Sequence, residues 1–237
     1  MRDLLYISEA SSSEGNFFTI CGLSFSEFIK GVERPLNLLV LHSLFPDPTS
    51  FQEISFDAIR DNLEDQRFND LDKLLDNPKY LDGDFCWVDY CDEQRLLAIE
   101  DEELAELCFL ARQNRPLNSP FFPSLDNRFV YFGHDDGFHT SLHVRDRRDY
   151  GRILLSAIQQ KAVHHGFNFD DTGDILNLLK DGLVIDFTRI STSGLPVYSY
   201  EGQFSFDSFD RHELHSSMVA VKLVAEQGSA HQSTTAP

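Results

Sequence analysis

The stretch Gly133-His134-Asp135-Asp136-Gly137-Phe138-His139, followed by His143, has the residue types best suited to chemistry. Asp136-Gly137 fits a type I′ turn, which would pair Asp135 with Phe138 and His134 with His139 across a hairpin. The period of two in a strand then puts His143 on the same face. His134, Asp135 and His139 are the candidate metal ligands, a set that a small metal-dependent hydrolase would use. His143 lies too far away to join them, because four residues of extended strand span about 13 Å. The competing reading is structural. Phe129, Tyr131, Leu142 and Val144 would pack inward and leave the imidazoles on a solvated face. We expect this second arrangement, since a metal centre needs four close ligands, or three and a water.

Other reactive residues form weaker patterns. His164-His165 falls at a helix end, where a protonated imidazole interacts favourably with the dipole. His212 and His215 are three apart and would share a helix face, but they do not form the HExxH pattern of metalloproteases. Cys21, Cys86, Cys91 and Cys108 lack the CxxC spacing of a zinc or redox site and the density of a disulfide scaffold, so they read as reduced thiols of a cytoplasmic protein. Neither GxSxG, GxxxxGK[ST] nor GxGxxG occurs. No catalytic residue and no cofactor is therefore expected. Arg145, Arg147, Arg148 and Arg152 form the one basic cluster. Ion pairs with Asp146, Asp149 and the acidic middle of the chain are expected for it, ahead of binding to an external anion.

Charge is the strongest signal. Asp and Glu number 39 against 20 Lys and Arg, a net charge of −19. Residues 57–110 hold 17 acidic and 5 basic side chains, −12 of that total. Such a field repels nucleic acid and anionic membranes and attracts basic proteins. A charged helix face is usually only solvated. Here, however, the carboxylates are concentrated and interleaved with aromatic rings, as suits an interface steered by charge and anchored by rings. Asp84, Asp89, Asp92, Glu93, Glu100, Asp101, Glu102 and Glu103 would supply the field, with Trp87 and Tyr90 as anchors. The expected function is an acidic binding or inhibitor protein, immunity- or antitoxin-like. Its partner would be a basic protein such as a toxin or nuclease.

The elements that must position these residues follow from periodicity and punctuation. Apolar alternation predicts strands over 4–7, 17–21, 85–90, 184–190, 195–200 and 218–224. Leu36 to Leu41 fits a strand or the start of a helix. Leu96 to Ile99 is expected as the antiparallel partner of 85–90 across Asp92-Glu93. Helices are predicted from Ser24 to Lys30, from Ser55 with a stripe through Leu75 that splits near Arg67, over 101–113, over 146–164 and over 174–180. Pro46-Asp47-Pro48 is a break. The order lacks βαβ alternation, so the expected class is α+β with a mainly antiparallel sheet and several packed helices.

With about 41% apolar residues and 21 Phe, the chain has material for a substantial core. Residues 1–227 are expected as a single domain, or as two subdomains meeting near 116–123, with a disordered tail at 228–237. The N-terminus lacks the apolar stretch of a signal peptide, and no segment approaches the roughly 20 apolar residues of a membrane helix.

Overall fold

The computed structural model describes residues 4–12, 15–33, 37–42, 55–65, 67–68, 74–76, 85–112, 119–134, 137–166, 183–189, 195–199 and 218–221. Ten strands among them form one antiparallel sheet. In chain order they are β1 (Leu4–Ser12), β2 (Gly15–Cys21), β3 (Asn37–His42), β4 (Arg67–Phe68) and β5 (Phe85–Tyr90). Then come β6 (Phe129–His134), β7 (His139–Val144), β8 (Leu183–Asp186), β9 (Leu195–Ser199) and β10 (Met218–Val221). Their spatial order is β10-β9-β8-β1-β2-β7-β6-β5-β3-β4. The helices are α1 (Phe25–Gly31), α2 (Phe56–Asp65), α3 (Glu93–Leu97), α4 (Asp101–Arg112) and α5 (Arg147–His164). The protein is thus of the α+β class. Strands on either side of residues 116–123 pair directly, β5 with β6 and β2 with β7.

Alternate residues of a strand face opposite ways, and here both faces are apolar. Leu5, Phe18, Val40, Trp87, Tyr131 and Leu142 lie on one face beneath α1 and α5. Leu39, Leu41, Val88, Tyr90, Val130 and Phe132 lie on the other, beneath Ile59 and Leu63 of α2, Leu96 of α3, and Leu104, Leu107 and Leu110 of α4. Each such side chain contributes about 1.5–3 kcal/mol when fully buried. Phenylalanines fill the first core at ring distance: Phe25 stacks on Trp87 at 4.2 Å and Phe28 meets Phe129 edge-on at 4.9 Å.

Local signals start the helices where they are needed. Ser24 and Glu27 form a reciprocal capping box at α1, and Asp92 and Asp146 accept from the backbone N–H of Gln94 and Arg148 to cap α3 and α5. Gly31 closes α1 where it crosses α5. A Cβ there would stand 2.5 Å from the Ile153 Cα, so only glycine permits the approach. In the same seam Lys161, 5% exposed, donates to Glu27 at 2.9 Å.

Two expectations need correcting. Leu96 to Ile99 is not a strand beside β5; residues 93–97 form α3. Both edges of β5 are occupied, by β3 and β6, and the run Glu-Gln-Arg-Leu-Leu after an Asp cap favours helix. The opening strands are longer than the expected 4–7 and 17–21, since β1 pairs with β2 out to Ser12 and Gly15. Elsewhere, residues 37–42 resolve to strand, and the helix opened by Ser55 stops at Asp65 before the two-residue β4. Pro46, Pro48, the helix expected over 174–180 and the tail 228–237 lie outside the described residues.

Candidate functional site

The acidic residues divide into structural and exposed groups. Asp89 is 3% exposed. One of its oxygens accepts from the backbone N–H of Arg128 at 2.8 Å and of Phe129 at 3.1 Å, and the other from Arg128 Nε at 2.9 Å. Arg128 also donates to the Glu33 carbonyl. Burial raises the Asp89 carboxyl pKa, opposed by the Arg128 and Phe129 hydrogen bonds. Asp89 therefore ties β5 to the entry of β6. Trp87 and Tyr90 are buried too, Trp87 against Phe25, Phe85 and Tyr131. Asp89, Trp87 and Tyr90 are thereby removed from the set that a partner could touch. Alternation explains it: β5 is an interior strand with cores on both faces, so its side chains from Cys86 to Tyr90 are all buried. Asp84 lies outside the described residues.

The remaining carboxylates sit on α3 and α4 and the turns leading into them. Asp92, Glu93, Glu100, Asp101 and Glu102 are exposed, while Glu103 is half-buried and accepts from the Ser124 backbone N–H. Two arginines join this layer together. Arg60 of α2 bonds the Ile99 carbonyl at 3.1 Å and pairs with Asp57 and Asp101, and Arg67 of β4 pairs with Glu93. Asp57 and Asp61, exposed and four apart on α2, extend the acidic surface and were missed as candidates. Their i, i+4 spacing was the available signal. Phe56 and Leu97, 40% and 49% exposed, are the large apolar side chains exposed on these helices among the described residues.

The hairpin β6–β7 has the expected register. His134 stands opposite His139, their ring centroids 5.9 Å apart and tilted by 59°, and His143 faces the same way. Asp135 and Asp136 lie outside the described residues. That face is not a solvated one as expected, because Val130 and Phe132 share it and belong to the core under α2, α3 and α4. Among the described residues no group of three or more His, Cys, Asp or Glu is placed to hold a metal ion. His143 packs on Phe17 at 4.5 Å, and burial lowers its pKa to about 4.

An imidazole with an ordinary pKa near 6.5 when unfolded takes up a proton more readily in the unfolded chain between those two values. Stability then falls as pH drops from about 6.5 to about 4, by about 2–3 kcal/mol after allowing for partial solvent contact. His143→Gln should remove this slope, as read from urea midpoints at pH 7 and pH 4.5. An unchanged slope would assign the dependence to other groups.

Three of the four clustered arginines are paired, mostly with partners other than those expected. Arg145 bonds Asp126 at 2.8 Å, Arg147 takes Glu9 with both terminal nitrogens, and Arg152 takes Glu33 and Asp149. Only Asp149 had been foreseen. Asp146 is occupied as the α5 cap, and none of these pairs reaches the 57–110 segment, whose helices α2, α3 and α4 lie on the opposite face of the sheet from α5. All four cysteines are free thiols. Cys91 is exposed, but burial and the nearby Asp126 and Asp89 charges raise its pKa, the reverse of an activated nucleophile. No helix among the described residues is long and apolar enough to cross a membrane. The chain matches no family model, and neither a curated protein nor a solved structure is significantly similar to it.

Proposed function

We propose that this protein captures a basic protein partner on the acidic surface of α2, α3 and α4, acting in the cytoplasm as an inhibitor of the immunity or antitoxin kind. The observation that carries the reading is the exposure of Asp57, Asp61, Asp92, Glu93, Glu100, Asp101 and Glu102 on neighbouring elements that Arg60 and Arg67 hold together. A rigid, like-charged surface on adjoining helices pulls in a cationic surface and accelerates encounter. Phe56 and Leu97 take the anchoring role that Trp87 and Tyr90 cannot fill. A toxin or nuclease with a phosphate-binding groove is the partner whose chemistry fits best, since carboxylates at helical spacing present charge much as a phosphate backbone does.

The test uses the intact chain as bait in an extract of the cells that produce it, beside the variant Asp57→Lys/Asp61→Lys/Glu100→Lys/Glu102→Lys. Among the described residues only Asp57 of these four makes an ion pair, the 3.4 Å contact with Arg60, so the fold should be preserved. The wild type should retain one basic protein that elutes as salt rises. The variant should associate with it about 10–100 times more slowly at low salt, with a flattened salt dependence. Equal retention by both chains would reject the acidic surface.

A further inference from the structure

We propose that His134 and His139 form a two-imidazole chelate for a divalent transition ion at the mouth of the β6–β7 hairpin. The two residues are direct cross-strand partners on one face, which fixes their Cβ atoms about 4.5–5.5 Å apart without any adjustable loop. Two imidazoles that bind one ion through nitrogens at about 2.1 Å have ring centroids roughly 5 Å apart. The observed 5.9 Å closes to that value by small side-chain rotations. Both rings are half-buried, so solvent reaches them while the strands limit their motion.

The backbone is well braced around the pair. β7 is hydrogen-bonded on its far edge to β2, where His139 pairs with Cys21, and Gly22 N–H donates to the Phe138 carbonyl at 2.9 Å beside the turn. Phe132 lies 6.0 Å from the His134 ring in near-parallel orientation and limits its rotation. With two protein ligands this is a weaker, exchangeable site than a structural or catalytic metal centre, and solvent supplies the other donors to the ion. Neutral imidazole with open solvent positions suits late first-row ions, and the general affinity order places Cu2+ tightest, ahead of Ni2+ and Zn2+.

The test is a Cu2+ titration of untagged full-length protein at pH 7.4, with glycine present to mask weak sites, followed by calorimetry and electron paramagnetic resonance. One ion per chain with two nitrogen donors is expected. His134→Ala and His139→Ala should each weaken binding at least tenfold, whereas His143→Gln should leave it unchanged. Should either alanine variant lose its native circular dichroism, nitrogen-15 imidazole spectra of the wild type with Zn2+ decide instead, and only His134 and His139 should shift. Binding that survives both single variants, or that is lost with His212→Ala or His215→Ala in their place, would overturn the assignment.

Discussion

Asp89→Ala should lower the unfolding free energy by about 3–5 kcal/mol, the usual cost of breaking a buried charge pair from one side. The carboxylate serves three donors, Arg128 Nε and the backbone N–H groups of Arg128 and Phe129. Alanine leaves all three without it. The Phe129 N–H is buried, and an orphaned buried donor alone costs about 1–3 kcal/mol. Asp89→Asn should fall between the two, since the amide keeps one acceptor oxygen but turns its NH2 toward Arg128 or the backbone donors. Urea unfolding at pH 7 checks both. A loss below about 0.5 kcal/mol for the alanine variant, the range of an ordinary surface substitution, would mean that the carboxylate has no structural role.

The seam between α1 and α5 should respond almost as strongly. Lys161→Ala strands the Glu27 carboxylate, itself only 16% exposed, and should cost about 3–4 kcal/mol. Glu27→Gln retains the reach of the side chain to the Ser24 N–H in the capping box, and Lys161→Met retains the apolar stem. The double variant Glu27→Gln/Lys161→Met should therefore be more stable than Lys161→Ala, because removing both charges leaves nothing unpaired. A double-mutant cycle between Glu27→Gln and Lys161→Met reads the coupling directly. A coupling near zero would make the pair incidental to the docking of the helices.

Elements with local signals were legible in the sequence. Ser24 and Asp146 mark helix starts by chemistry that acts within a few residues, and the structure uses both, whereas Gly31 serves the approach of α5 rather than a local cap. The pairing of His134 with His139 followed from one turn dipeptide. What the sequence hid was tertiary. Phe85 to Tyr90 reads as a strand from its own residues, but nothing local says that it lies between two others with a core on each face. Trp87, Asp89 and Tyr90 therefore looked like surface candidates although they are interior. The error at Leu96 to Ile99 has the same source: a hairpin partner for β5 was plausible only while β3 and β6 were not known to occupy its edges. The arginine partners Glu9 and Asp126 are likewise far in sequence from Arg147 and nearer but non-helical in the case of Arg145, beyond the range of helix-spacing arguments.

The strand order also governs how the chain must come together during synthesis. β1 and β2 emerge first as a hairpin, yet their outer neighbours are β8 and β7, which follow over a hundred residues later. At a translation rate of about 5–20 residues per second the hairpin waits roughly 6–25 s with both edges open. Loop closure over such separations is slow, and an open apolar edge is a template for the wrong strand. The middle of the finished sheet is thus sealed late, β1 against β8 only when just the edge strands β9 and β10 are still to come. The nascent chain is exposed to misassembly at the place where the mature protein is best protected.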